Sequence, residues 1–156
     1  MAWLVSPLAL GPRRLIKLQL ERAGVAQVPE KLLVSSDYHW READGVIDIE
    51  PFQSADVMDT MVEQFHITHA LQDDALDQLA RTPEFRAALA GAGLRIRTIH
   101  SIAGQMPDVY LKRFSLSVRH TTVRDILNKM LLALRGDYWY FQRYGDHLQY
   151  ATLYIA

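Results

Sequence analysis

The chain of 156 residues contains no cysteine. That absence removes disulfide frameworks, thiolate zinc sites and thiol nucleophiles, and leaves the redox compartment open. A charge excess is also missing. Seventeen Lys and Arg against 18 Asp and Glu leave a formal net charge of −1, so neither nucleic acid nor an anionic membrane has a general electrostatic pull on the chain. No apolar run approaches the ~20 residues that a membrane-spanning helix needs. A secretory leader is not expected, because the short apolar patch at the start is broken by Pro7 and comes before Arg13 and Arg14 instead of after basic residues. The sequence therefore reads as soluble, with no integral membrane segment. It leaves the compartment open, periplasmic if the native chain starts further upstream. No Gly-x-Ser-x-Gly elbow, GxGxxG turn or phosphate-cradling GxxxxGK is present.

Apolar residues make up 49% of the chain, enough for a real core. The clearest pattern lies between Phe114 and Ile155. Phe114, Leu116 and Val118 alternate, as in a strand with one buried face. Val123, Ile126, Leu127, Met130 and Leu134 then repeat at helical spacing. Thr122 with Asp125 three residues on is an N-cap signature, and Gly136 after Arg135 supplies a helix exit. Two aromatic-rich runs flanking Tyr144-Gly145-Asp146 close a strand, helix, strand, strand unit.

Upstream, Leu15 to Leu20 fits a short helix or a strand, and Pro29 opens a second short helix through Val34. Asp44-Gly45 between Tyr38–Glu42 and Val46–Ile49 is a strong hairpin signal. After a connector from Phe52 to Asp56, Met61 to Ile67 reads as a strand with Met61, Phe65 and Ile67 on one side. Leu71, Ala75 and Leu79 mark a helix to Arg81, with Asp73, Asp74 and Asp77 facing water. Thr82-Pro83 caps and opens another helix to Ala90; Leu94, Ile96 and Thr98 form a strand, and His100 to Pro107 a loop. The fold class is α+β: small sheets with helices on one face, ending in a C-terminal βαββ module with an aromatic hairpin. The expected division is residues 1–51, a helical segment plus hairpin that echoes the C-terminal helix and hairpin as an incomplete module, and residues 57–156.

Candidate chemistry is sparse. His66 and His69 with Asp73 or Asp74 offer too few ligands for a closed zinc site, and capping or solvent-exposed histidines are the simpler account. His39, His100, His120 and His147 sit in separate elements with no nucleophile elbow beside them. No catalytic residue, cofactor or metal is assigned. Arg95 and Arg97, with Lys112, Arg113 and Arg119 near the next strand, read as a solvated sheet face. The unusual feature is the ring content of the last hairpin: Tyr138, Trp139, Tyr140, Phe141, Tyr144, Tyr150 and Tyr154. Because successive strand side chains alternate faces, about half of these rings point away from the core. They can pair across the strands and stiffen the hairpin, anchor a protein partner, or stack on a small ligand.

Residues 114–131, FSLSVRHTTVRDILNKML, followed by the aromatic hairpin, resemble the short N-terminal domains of secretins and TonB-dependent outer-membrane receptors, the STN domains. The segments Tyr38–Ile49 and Ala75–Leu79 look like pieces of related modules in bacterial proteins. The resemblance implies a non-catalytic bacterial envelope module, typically periplasmic, that docks on protein partners. Two features depart from the simple module: no export signal is read at the start, and an extra helix is inserted over residues 82–92. The expected function is protein–protein interaction through Tyr138, Tyr140, Arg143, Tyr144, Tyr150 and Tyr154 and an open sheet edge, without nucleic acid; the oligomeric state is left open. Small-ligand or polysaccharide binding by the same rings is the second reading and an enzyme the third. The alternation predicts that Trp139→Ala lowers unfolding stability by about 3–5 kcal/mol in urea titrations, while Tyr140→Ala spares folding and weakens partner capture.

Overall fold

The computed structural model describes residues 2–5, 38–43, 45–51, 57–98, 112–136, 139–144 and 149–155. For 2–5, 38–40, 43, 49–51, 97–98, 140, 142–144 and 149–155 the description is of the backbone alone. The expected helices over 15–20 and 29–34, the connector over 52–56, the loop over 100–107 and the turn at Gly145-Asp146 lie outside the described residues.

Among the described residues, eight strands and three helices follow one another as β1 (Ala2–Val5), β2 (Tyr38–Ala43), β3 (Val46–Pro51), a 3-10 turn (Val57–Asp59), β4 (Met61–Ala70), α1 (Gln72–Ala80), α2 (Pro83–Gly91), β5 (Leu94–Thr98), β6 (Phe114–Thr122), α3 (Val123–Leu134), β7 (Trp139–Tyr144) and β8 (Gln149–Ile155). The strands form a six-stranded sheet in the order β2-β3-β1-β7-β8-β5 and a separate ribbon of β4 with β6. Both β2–β3 and β7–β8 are antiparallel hairpins, whereas β1 runs parallel to β3 and β7, and β5 parallel to β8. The chain is a small α+β fold. Its C-terminal βαββ sequence of elements is present, with its first strand in the ribbon and its last two in the sheet.

The first hairpin forms where Ala43 pairs with Val46 across a two-residue turn. Gly45 there has φ +78°, a conformation glycine reaches without steric cost. In the ribbon, the buried positions of β4 are Val62, Phe65, Ile67 and Ala70. Met61, expected on the buried side, is 49% exposed, and Val62 replaces it at 1%. The change of phase falls beside His120, which lies on β6 between Arg119, opposite Gln64, and Thr121, opposite Val62, and has φ +47°. A second irregularity falls between Ile67 and Ala70, where His69 has φ +50°.

Helix α1 starts without a side-chain cap, and Asp73 and Asp74 in its first turn complement the helix dipole. Those two and Asp77 are exposed or half-buried. Thr82 occupies the N-cap position of α2 and Pro83 its first turn, yet the Thr82 hydroxyl donates backwards to the Leu79 carbonyl at 2.8 Å. It closes α1 instead of capping α2. At α3 the expected cap is present: the Asp125 N–H donates to Thr122 Oγ1 at 3.1 Å. The same helix buries Val123, Ile126, Leu127, Met130, Leu131 and Leu134.

Each helix packs on a ribbon strand and on the sheet: α1 on β4, β5 and β8, α2 on β4 and β5, and α3 on β6 and β7. The helices thereby join the two sheets around one core that runs from Val46 through Phe65, Phe85 and Leu127 to Trp139 and Phe141. Lys112 ties the start of β6 to the end of α3, its ammonium donating to the Ala133 carbonyl at 2.6 Å.

The exit of α3 differs from the glycine expectation by one residue. Arg135, with φ +59°, is the left-handed residue, and the Gly136 N–H bonds back to the Leu131 carbonyl at 3.0 Å. An L-residue in that region carries a steric cost that glycine does not. Arg135→Gly is therefore expected to raise stability by about 1 kcal/mol in urea unfolding, since the side chain is exposed and contributes little in return.

Candidate functional site

The aromatic hairpin is a ladder of fixed register. Trp139 pairs with Ile155, Tyr140 with Tyr154, Phe141 with Leu153, Arg143 with Ala151 and Tyr144 with Tyr150. Directly opposed residues of an antiparallel pair share a face, and alternate residues share it along each strand. Positions 140, 144, 150 and 154, all tyrosine, thus occupy one parity as two opposed pairs. Position 143 falls on the other parity, together with Trp139 and Phe141. Tyr138 lies outside the described residues, as do the side chains of Tyr140, Arg143, Tyr144, Tyr150 and Tyr154. The parallel register of β5 with β8 sets Arg95 beside Tyr150, on the tyrosine parity.

What orients this hairpin is the opposite face. Trp139 and Phe141 are fully buried. The indole N–H of Trp139 donates to Asn128 Oδ1 of α3 at 2.7 Å. An indole nitrogen can only donate, so the amide oxygen of Asn128 must face it and its NH2 must face elsewhere. That group lies 3.4 and 3.5 Å from the carboxylate oxygens of Asp48, which is 1% exposed. The sheet register explains the reach. Ala2 of β1 is in register with Asp48 on one side and Trp139 on the other, so the amide spans a three-strand width on one face.

The network continues through charges of alternating sign. Asp48 is 3.5 Å from Arg41 Nε, Arg41 is 3.8 Å from Asp59, and Asp59 accepts from Arg124 Nε at 2.9 Å. Arg124 is completely buried, and it lies one turn before Asn128 on the same helix. The two buried ions, Asp48 and Arg124, each face an exposed counter-charge, Arg41 and Asp59, which is the condition under which buried ions are tolerated. Neither Asn128 nor Arg124 stands out in the sequence, where both sit beside the apolar stripe of α3. The one visible signal is Asp48, a carboxylate inside the β-branched run Val46-Ile47-Asp48-Ile49.

A second feature lies at the far end of the sheet. A cleft of about 480 Å³ opens between α1, α2 and β5, with Arg81, Arg86 and Arg95 around a floor that includes Leu89, Leu94 and Ile96. Arg81 is held 3.7 Å from Asp77. By strand alternation Arg95 belongs to a solvated strand face; its meeting with Arg81 and Arg86 has no signal in the sequence, because helix packing alone brings them together.

The histidines of the ribbon serve local geometry. His66 Nε2 is 3.0 Å from the Thr68 hydroxyl, His120 Nδ1 is 3.0 Å from a Glu63 carboxylate oxygen, and the His69 N–H donates to the Ser115 hydroxyl at 3.0 Å. Among the described residues, no three His, Asp or Glu side chains converge on a point that could hold a metal ion. Arg113, from the basic stretch before β6, donates to the His69 carbonyl at 3.0 Å. Among the described residues no helix is long and apolar enough to cross a membrane.

Compared with known proteins, the chain matches no protein-family profile, no curated protein and no solved structure.

The amide bridge makes a quantitative statement. Asn128→Leu leaves the Trp139 N–H and the Asp48 carboxylate each short of a buried partner and is expected to cost about 3 kcal/mol in urea unfolding. Leu132→Ala on the outer side of the same helix, where Leu132 is 49% exposed, is expected to cost under about 0.5 kcal/mol.

Proposed function

We propose that this chain is a non-catalytic docking module that recognises a protein partner through its C-terminal hairpin and an adjoining open strand edge. The observation that carries the reading is the register of β7 with β8, which sets Tyr140 against Tyr154 and Tyr144 against Tyr150 on one parity. Tyrosine suits such a surface for a physical reason. It supplies a large apolar area at the entropic cost of two side-chain torsions, with a hydroxyl that can hydrogen-bond at the rim. A strand edge adds unsatisfied backbone donors and acceptors that an incoming strand can pair with.

The hairpin is held rigidly for this task. Trp139 and Phe141 fill the core on the alternate parity, and the Asn128 bridge fixes the rotation of the ladder about its own axis. The tyrosine positions therefore come preorganised, which reduces the ordering cost of association. The STN resemblance of residues 114–155 supplies the rest of the proposal: a bacterial protein working at the cell envelope, in the manner of secretin and receptor N-terminal domains.

A pull-down from a bacterial envelope fraction with the intact chain tests the reading, with Tyr140→Ala/Tyr144→Ala as control. The expected result is a partner retained by the intact chain and lost by the variant, with unchanged circular dichroism. Equal capture by both chains, or no specific partner together with thermal stabilisation by an oligosaccharide, would overturn it.

A further inference from the structure

We infer that the cleft between α1, α2 and β5 receives an extended acidic polypeptide segment, which adds to β5 as a further strand; this rests on the docking function above and names the chemistry of the partner. Three observations converge on it.

The first is the position of β5. It ends the sheet order, and among the described residues β8 is the sole strand paired with it. Among the described residues, Leu94 to Thr98 thus present one further row of backbone groups, about 16 Å long at the usual rise per residue.

The second is how the cleft meets that strand. Its lining takes Leu94, Arg95 and Ile96 in succession. Leu94 is buried and Arg95 exposed, as alternate faces require. A space that touches residues of both parities reaches the strand along its edge, where an added strand would lie. The cleft is an open trough and not an enclosed cavity, so it fits a passing chain better than a sequestered small molecule.

The third is charge. Arg81, Arg86 and Arg95 face a single carboxylate in the lining, that of Asp77. Arg81 is engaged with it, whereas Arg86 and Arg95 are exposed and have no ion pair among the described residues. The chain as a whole carries −1, so this positive character is local. A guanidinium fork matches a carboxylate in a bidentate manner. An incoming strand with acidic residues at alternate positions can meet the arginines while its other residues lie on Leu94 and Ile96. A nucleic-acid strand offers anionic charge as well, yet it makes no use of the backbone row of β5.

The test uses the full chain and fluorescence anisotropy at low salt. The probe is a labelled peptide of about ten residues alternating Glu and Val, a length that spans β5 with a margin at each end. It is compared with its Gln-for-Glu counterpart, with a version N-methylated at alternate backbone positions, and with an oligothymidylate of similar length. The acidic peptide is expected to bind at least about tenfold more tightly than the other three, and Arg86→Glu/Arg95→Glu to weaken it by at least about tenfold. Both side chains are exposed, so the charge-reversed variant is expected to keep its circular dichroism. Equal binding of the Glu and Gln peptides, indifference to N-methylation, preference for the oligothymidylate, or unchanged binding by the charge-reversed variant would each overturn the inference. In the envelope pull-down, capture lost with Tyr140→Ala/Tyr144→Ala but retained with Arg86→Glu/Arg95→Glu overturns the cleft assignment alone and leaves the docking function standing.

Discussion

A buried amide sets the geometry of this protein. Asn128 stands between an indole that can only donate and a carboxylate that can only accept, and its two ends satisfy both. The bridge ties α3 at once to β7 and, two strands away, to β3. Arg41, Asp59 and Arg124 extend it to β2 and the 3-10 turn, alternating in sign so that no buried charge is left without a counter-charge. Apolar packing tolerates small slides and rotations, because a methyl group has no preferred partner. A network of directed bonds does not tolerate them, and removing one partner strands the next in a medium of low dielectric constant. The register and rotation of the six-stranded sheet relative to α3 therefore follow from this chain of polar contacts.

Around that anchor the helices do a second job. Each spans from the β4–β6 ribbon to the larger sheet, so two β layers that share no ladder are held by one core. Packing α1 and α2 over the end of the sheet brings Arg81, Arg86 and Arg95 around one cleft beside the edge strand β5. Arginines spread along the chain are thereby gathered into one local positive patch. The tyrosine parity of the hairpin reaches the same neighbourhood through the register of Tyr150 with Arg95. Aromatic area and localised positive charge thus sit on adjacent strands, the combination enriched at the centres of protein interfaces.

The backbone departures from regular geometry fall at single residues. His69 and His120 adopt left-handed φ where the ribbon changes phase, and Arg135 does so where α3 ends. In the ribbon, the change of phase moves Met61 outward and Val62 inward. Strict alternation cannot anticipate such a step, since it falls where the strand pairs with one some 60 residues away in the chain.

Much of the architecture was legible from local patterns. The Asp44-Gly45 hairpin, the strand from Phe114, the helix after Thr122 and the final aromatic pair of strands are each encoded by periodicity and turn chemistry within a few residues, which is why the α+β class and the C-terminal order of elements could be read directly. Trp139 and Phe141 on one parity, and the tyrosines on the other, were determined by composition as soon as the hairpin existed. What local pattern could not contain was the assignment of strands to sheets, with β6 in the ribbon and not beside β7, because ladder partners are chosen by long-range packing. The same holds for the burial of Arg124 and Asn128, whose side chains look like surface residues of an amphipathic helix until Asp48, Asp59 and Trp139 are brought against them. Local sequence determined which elements form and which face of each is apolar; the tertiary structure alone decided which polar groups meet, since a hydrogen bond or an ion pair depends on distances between segments that the order of residues does not specify.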